Sequence, residues 1–150
     1  MKQVNVYLLT SKKGPGRRDG NWCFIIESML RAKDGEKPVT LTYFGQAPGM
    51  GANEAELTAA VMAFRRIHKE SEIVIFTQSK WFFQALSVWL PEWEQNGWQT
   101  KKKEPVKHVD KWKELDELMK YHNVRAVCGK QHKYLEYMIR EIDRTVHSYE

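Results

Sequence analysis

The chain has 150 residues and a formal net charge of +5, from 24 Lys and Arg against 19 Asp and Glu. A chain of this length buries roughly two-thirds of the surface that its unfolded form exposes, so we expect one domain over residues 1–150 without a disulfide or metal staple. No apolar run approaches the roughly 20 residues that a membrane span needs, and two isolated cysteines, Cys23 and Cys128, exclude a secreted disulfide framework. We therefore predict a soluble, cytoplasmic protein with reduced thiols and no membrane partner.

The first three predicted elements are strands. The stretches 4–9, 21–30 and 39–45 are rich in β-branched and aromatic residues, and Gly, Pro or charged residues bound each of them. We therefore predict three strands that pair antiparallel as a meander.

The period of the apolar residues changes in the stretch 53–70, which predicts the first helix. Asn53 and Glu56 are spaced as a capping box, in which the acid at the third helical position has a purely structural task. The apolar positions of this helix recur at helical spacing and are Leu57, Val61 and Phe64.

A short apolar run at 72–77 is typical of a central strand, and Ser79 after it has the side chain of a helix N-cap. The second helix therefore spans 79–89. Pro91 opens a further short turn of helix, because proline is tolerated in the first turn and not in a helix interior.

The last third predicts a helix over 109–122, a strand over 123–128 and a closing helix over 133–147. The order of strands and helices predicts an α/β protein with one mixed sheet, in which two parallel strands follow three antiparallel ones and helices cover both faces. The apolar positions of the two helices are Trp112, Leu115 and Met119 in the first, and Leu135, Met138, Ile142 and Val146 in the second.

The positive charge is concentrated in two stretches. Residues 99–113 hold six lysines against two acids, and residues 11–20 hold four basic residues against Asp19. Concentrated positive charge favours phosphate-bearing partners, although a charged run is also a common form of solvated loop.

Several motifs resemble one known family, type 1 ribonuclease H. The most specific is the stretch 87–115, with its four spaced tryptophans, its Gly-Trp pair and its lysines leading into PVK; GPG at 14–16 and the pattern N.AEL.AA at 53–60 also match. The resemblance implies a ribonuclease H-like fold with a basic protrusion. Members of this family cut the RNA strand of RNA/DNA hybrids with two divalent ions.

Two-ion chemistry needs hard oxygen ligands, and the family supplies four carboxylates. The resemblance allows each position to be sought in this chain. The first acid falls at Leu9, or at Thr10 after a one-residue slip; the second falls at Glu56; the third falls at Gln78; the fourth falls at Arg140 or Ile142, with Glu141 and Asp143 as neighbours that take it only by a shift.

Leu9 has no ligand atom, and Gln78 offers only a neutral carbonyl oxygen, so Glu56 is the one secure acid. We therefore predict weak or absent Mg²⁺ binding, no cofactor and no ribonuclease H activity, that is, a pseudo-enzyme. His132 takes the place of a histidine in the loop before the family's last helix. Without metals we interpret His132 as a solvent-exposed loop residue.

The leading functional prediction is a protein that binds RNA/DNA hybrid or other duplex nucleic acid through the protrusion. Lysines there track phosphates, and tryptophans pack against sugar or hold the loop in shape. Trp89 and Trp112 are expected in the core. The candidate contacts are Lys101, Lys102, Lys103, Lys107, Trp93 and Trp98 in the protrusion, Asn53 in the first helix, and Lys12, Lys13, Arg17, Arg18 and Lys80 around the expected cleft.

Two alternatives remain open at this stage. One is a protein-interaction scaffold derived from the same fold, with Trp81, Phe82 and Phe83 as an exposed partner patch. The other is an active metal-dependent ribonuclease with relocated ligands. Its ligand set would be Glu56 with Asp19, Glu141 or Asp143.

Overall fold

The computed structural model describes residues 1–11 and 20–147. Its five strands are β1 Lys2–Thr10, β2 Asn21–Ala32, β3 Gly35–Gln46, β4 Ser71–Thr77 and β5 Asn123–Cys128. Its α-helices are α1 Ala52–Phe64, α2 Lys80–Gln84, α3 Leu90–Gln95, α4 Val109–Lys120 and α5 Leu135–His147, and the π-helical segment Ala85–Trp89 joins α2 to α3.

The strands form one sheet in the order β3-β2-β1-β4-β5. β1, β2 and β3 pair antiparallel, whereas β4 adds parallel to β1 and β5 adds parallel to β4. The predicted mixed α/β sheet is confirmed. Because β1 and β4 run parallel, their carboxyl ends Thr10 and Thr77 meet at the same edge of the sheet.

Helices α1, α2 and α4 cover one face of the sheet. Strand alternation sends Val6 and Leu8 of β1 to this face, where they join a large core with Leu57, Phe64 and Trp112. All five are at most 1% exposed, and Leu57 and Phe64 belong to the predicted apolar face of the first helix. That prediction is confirmed.

Helix α5 covers the opposite face with a smaller core. Met138 and Ile142 are buried there against Tyr7, Cys23 and Ile25 of β1 and β2. Cys23 is a buried free thiol, as expected.

Two local predictions about the helices are wrong. The first helix begins after Gly51, and no side chain caps it, because Glu56 bonds to groups on the sheet and not back to residue 53. It also ends at Phe64, where Arg66 and Ile67 donate to carbonyls three residues earlier and tighten the last turn.

Ser79 caps α2 as predicted, since its hydroxyl accepts from the Phe82 backbone N–H at 3.0 Å. The helix then widens by one residue per turn, and the Leu90 N–H reaches back five residues to the Ala85 carbonyl. Pro91 follows directly and has no N–H to continue the ladder. Within residues 1–11 and 20–147, no helix is both long and apolar enough to span a membrane.

Candidate functional site

The sheet edge where β1 and β4 end carries one buried carboxylate, Glu56 of α1, which is 2% exposed. It accepts hydrogen bonds from the Thr10 hydroxyl at 2.9 Å and the Thr77 hydroxyl at 3.0 Å. The Thr77 oxygen also accepts from the Ser79 N–H at 3.1 Å, which leaves its own proton for Glu56. Burial raises the pKa of Glu56, and the two hydroxyl bonds offset part of that rise.

Alternation along β1 decides between the two candidates for the first acid position. Leu9 packs on the α5 face, against the small core there, whereas Thr10 faces α1 and bonds to Glu56. Thr10 is therefore the β1 residue that lies at the buried carboxylate.

Gln78 is half-buried and turns away from Glu56. Its side-chain amide donates to the Lys130 carbonyl at 3.0 Å, in the loop that follows β5. A carboxylate at this position has no proton to donate, so the amide makes a contact that an ionised acid would not make.

The α5 candidates separate clearly by the face of the helix. Ile142 is 3% exposed and lies in the core, and Arg140 is exposed beside Glu141. Asp143 accepts from the Asn21 side chain at 3.4 Å, and the Asn21 N–H donates to the Ser11 hydroxyl at 3.2 Å. Asp143 is thus the α5 acid that approaches the edge where β1 ends.

The ligand atoms at this edge come from several residue types. Among the residues that the structure describes, no three His, Cys, Asp or Glu side chains come together as a metal-binding group. The donors at the edge are mainly hydroxyls and amides, which are weak ligands for a hard dication. Of the sequence candidates, Lys12, Lys13, Arg17, Arg18 and Asp19 lie outside the described residues.

His132 is not the solvent-exposed residue that the sequence suggested. Its ring packs 4.5 Å from the Tyr7 ring and 5.7 Å from the Phe76 ring on the α5 face of the sheet. Burial lowers the pKa of His132. The prediction failed because the two aromatic side chains come from strands far away in the chain.

The basic protrusion consists of α3 and the loop 96–108. Within this loop the Thr100 N–H donates to the Glu104 carbonyl at 2.8 Å, and the Val106 N–H donates to the Trp98 carbonyl at 3.2 Å. Val106 is buried and anchors the loop to the main core. The exposed lysines of this loop are Lys101, Lys102, Lys103 and Lys107.

The tryptophans of the protrusion stack on one another and on the core. Trp93 packs edge-on against the fully buried Trp112 at 5.5 Å, and Trp89 lies 6.2 Å from Trp93. Trp98 is half-buried with Lys113 over its ring at 5.9 Å. The prediction of a core role for Trp112 is confirmed, and Trp93 and Trp98 both help to hold the loop in shape.

Ion pairs join α4, the helix that follows the protrusion, to α1 and to α3. Lys111 of α4 pairs with Glu54 of α1 at 2.8 Å. Lys120 of α4 pairs with Glu94 of α3 at 2.8 Å. Asn53 is exposed next to Glu54, so this candidate borders the base of the protrusion.

The aromatic partner patch expected on α2 is wrong. Phe82 is fully buried and stacks on Trp112 at 5.8 Å, and Trp81 and Phe83 are half-buried. Lys80 of the same helix is exposed near the sheet edge.

Glu27 was not identified from the sequence as a buried acid. Glu27 of β2 is 2% exposed and lies in the middle of an apolar strand on the α5 face. The available signal was the isolated acid in NWCFIIES, because a charge is retained in a buried strand only when partners meet it.

A family model described as RNase H matches residues 1–147. A protein of Cupriavidus necator H16 named ribonuclease H is 35% identical over 125 residues, which cover 83% of this chain and 79% of that protein. A protein of Pseudomonas aeruginosa PAO1 named ribonuclease HI is 34% identical over 124 residues, 82% of this chain and 77% of that protein.

Solved structures share the fold at lower identity. LC9-RNase H1, described as a type 1 RNase H with the type 2 active-site motif, superposes with a TM-score of 0.76 at 20% identity, over 96% of this chain and 74% of that one. A foamy viral protease-reverse transcriptase in complex with RNA/DNA hybrid gives a TM-score of 0.65 at 16% identity, over 91% of this chain and 18% of that one.

The prediction of a pseudo-enzyme without ribonuclease H activity is contradicted by these comparisons. Relatives at about 35% identity over most of the chain carry the name of an active ribonuclease. The prediction judged each acid position from a single residue. It gave too little weight to neighbours such as Asp143, which follows Ile142 directly and reaches the edge from the adjacent side of the helix.

Proposed function

Because this chain belongs to the ribonuclease H family, we propose that it binds RNA/DNA hybrid through the exposed lysines of its basic protrusion. The observation that carries the proposal is the exposure of Lys101, Lys102, Lys103 and Lys107 on one loop that tryptophans hold in shape. Ammonium groups on such a loop contact phosphates and release counterions, which supplies affinity without reading base sequence.

The solved neighbours support a duplex as the partner. Foamy viral protease-reverse transcriptase structures that share this fold contain RNA/DNA hybrid in one case and double-stranded DNA in another. A hybrid presents 2′-hydroxyls on one strand only. Groups such as Asn53 at the base of the protrusion have the donors and acceptors to meet them.

A salt titration of binding tests the proposal. We expect a variant with alanine at Lys101, Lys102, Lys103 and Lys107 to bind a 20-base-pair hybrid with a log–log salt slope shallower by roughly 3 to 4 than the unchanged protein. Fluorescence anisotropy at 50 to 300 mM salt gives the slope. Because the lysines supply the cations, we expect the hybrid to bind in EDTA, without Mg²⁺.

The matched control removes the same charge elsewhere, with alanine at the exposed lysines Lys2, Lys33, Lys37 and Lys69. This control keeps the slope of the unchanged protein if the protrusion is the contact. An equal loss in both variants, or no binding of any hybrid or duplex at about 50 mM salt, contradicts the proposal and favours a protein partner.

A second candidate function is cleavage of the RNA strand. The observation that favours it is the approach of two acids to one sheet edge: Glu56 meets Thr10, and Asp143 reaches the adjoining Ser11 through Asn21. The neighbour LC9-RNase H1 is described with another type's active-site motif, so the type 1 fold accommodates more than one motif.

Labelled hybrid incubated with Mg²⁺ or Mn²⁺ tests cleavage directly. We expect cleavage that both Glu56→Gln and Asp143→Asn reduce, with Glu136→Gln as the matched control at an exposed position of α5. Cleavage that neither variant affects, or no cleavage in either ion, contradicts this candidate and leaves the binding proposal standing.

A further inference from the structure

Glu27 lies on the α5 face of the sheet, where four side-chain donors meet its carboxylate. Two of them come from the neighbouring strand β1. The Asn5 amide donates at 2.9 Å and the Tyr7 hydroxyl at 3.2 Å. A carboxylate that is only 2% exposed is costly in free energy unless such partners satisfy its oxygens.

The other two donors come from the loop 129–134, which precedes α5 and is called the His132 loop below. Lys133 Nζ lies 2.6 Å from Glu27 Oε2, and the Tyr134 hydroxyl donates to the same oxygen. The Lys133 side chain is 57% exposed and the Glu27 side chain is 2% exposed, so the lysine extends from the surface loop to the buried carboxylate. The loop is therefore held to the sheet by its contacts with Glu27.

The same contacts place His132. Its Nδ1 accepts from the Tyr134 N–H at 3.2 Å, so the neutral ring carries its proton on Nε2. That Nε2 is buried without a hydrogen-bond partner among the described residues. Tyr7 donates to Glu27 and also packs its ring on His132. Tyr7 therefore connects the carboxylate to the His132 slot, which is the position of the ring beside Tyr7 and Phe76.

The other end of the His132 loop is fixed at the sheet edge. The Gly129 N–H donates to the Thr77 carbonyl at 3.0 Å, and the Gln78 amide donates to the Lys130 carbonyl at 3.0 Å. Two anchors on opposite ends hold six residues in one position. One anchor lies beside Glu56 at the edge and the other is Glu27.

We infer that Glu27 is a positioning residue: it fixes the His132 loop against the sheet and keeps His132 in its slot beside Tyr7. Glu27 does not touch the sheet edge itself. It sets where the loop stands relative to the groups that end β4, and it does so through Lys133 and Tyr134.

The test compares Glu27→Gln with the unchanged protein by NMR in the absence of nucleic acid. An amide at this position keeps the size of the side chain and loses the charge that Lys133 and the hydroxyls meet. We expect the backbone amides of the His132 loop to exchange with solvent about ten- to a hundred-fold faster. We also expect the ¹⁵N shifts of the His132 ring to move towards those of an exposed histidine, with His132→Gln providing the assignment.

The indole signal of Trp112 on the other face of the sheet reports whether the fold is intact. Glu114→Gln is the matched control, because Glu114 pairs with Arg65 at the surface of that other face. It leaves the His132 signals unchanged. A folded Glu27→Gln protein whose His132 signals and loop exchange match the unchanged protein overturns the inference.

If Glu27→Gln does not fold, Tyr134→Phe provides the test instead. It removes one donor from the loop and leaves the carboxylate with Asn5, Tyr7 and Lys133. Faster exchange confined to the loop supports the inference, and exchange equal to that of the unchanged protein overturns it. Since every spectrum is recorded without nucleic acid, a failure here is distinguishable from a failure of hybrid binding.

Discussion

Two glutamates of this protein are each only 2% exposed and lie on opposite faces of one sheet, yet their environments favour opposite charge states. Glu56 meets only the hydroxyls of Thr10 and Thr77, and burial raises its pKa. Burial also acts to raise the pKa of Glu27, but Lys133, Tyr134 and Asn5 outweigh it and lower the pKa to about 2. Glu27 has a cation and several hydrogen-bond donors that lower its pKa, whereas the two hydroxyls at Glu56 offset only part of the rise caused by burial.

The difference follows from where each acid finds its partners. Glu56 lies at the ends of two parallel strands, where the chain supplies Thr10 and Thr77. Glu27 lies mid-strand and draws a cation from a loop more than 100 residues later. Among the described residues, Glu56 therefore bonds to hydroxyls, whereas on the α5 face the buried Glu27 pairs with the exposed Lys133.

The largest expected effect comes from removing Glu27, the acidic member of that ion pair. Glu27→Ala leaves the Asn5 amide and the Tyr7 hydroxyl without their acceptor in a buried site and opens a small cavity. We expect a loss of about 3 kcal/mol in the free energy of unfolding, measured by urea denaturation at pH 7. Glu114→Ala, at an exposed pair, costs about 0.5 kcal/mol by comparison. If Glu27→Ala lowers the free energy of unfolding by less than about 1 kcal/mol, the contacts of Glu27 do not stabilise the fold as argued above.

The second effect is a pH dependence that comes from Glu56. Its folded pKa lies above the ordinary glutamate value of about 4.3, so the folded state binds the proton more tightly than the unfolded state. The free energy of unfolding therefore falls as the pH rises from about 4.3 through the folded pKa. We expect the free energy of unfolding of Glu56→Gln to depend less on pH. The midpoints of urea denaturation between pH 4.5 and 8 measure this dependence.

Glu92→Gln, at an exposed position of α3, is the control for that series and keeps the fall of the unchanged protein. A Glu56→Gln protein whose stability varies with pH as before shows that Glu56 is not the titrating group.

The third effect is smaller and concerns the stability of the folded protein at acid pH. The pKa of Glu27 is lowered to about 2, so its stabilisation is present above about 4.3 and is lost as the pH falls towards 2. Lys133→Met removes the cation and raises that pKa. We expect acid unfolding, followed by circular dichroism, to begin at a higher pH, with about 1 kcal/mol lost at pH 7 because Lys133 is half-exposed. Lys130→Met, in the same loop, leaves the acid midpoint in place.

The smallest effects separate the two hydroxyls at Glu56. Thr77 is fully buried and Thr10 is partly exposed, so water replaces only the Thr10 contact. We expect Thr77→Val to lower the free energy of unfolding by about 1 kcal/mol and Thr10→Val by about 0.5 kcal/mol, measured in urea at pH 7. Equal effects from the two variants argue against a buried, water-free Glu56.

Much of the fold could be predicted because its signals are local. The β-branched and aromatic runs predicted the strands of the meander, Leu57 and Phe64 marked the buried face of α1, and Ser79 marked the N-cap of α2. The site could not be predicted in the same way, because its contacts join distant segments. The partners of Glu56 are 46 and 21 residues away, and a local capping pattern with Asn53 pointed to the wrong role.

Activity was predicted wrongly for a related reason. The sequence shows which residue stands at an expected position, but it does not show which neighbouring side chain reaches the site. Asp143 illustrates this, since helix α5 brings it to Asn21 while Ile142 takes the core.

The backbone of the basic protrusion has one further consequence. Trp98, Lys103 and His108 all have positive φ angles between 58° and 64°, which non-glycine residues seldom adopt, and cross-loop hydrogen bonds join Trp98 to Val106. The conformational entropy of this loop, of order 1 kcal/mol per residue, is therefore lost when the protein folds and not when a ligand arrives. A partner that binds here contacts a loop that is already ordered, so the residence time of the complex depends on how well the shape of the partner matches the loop.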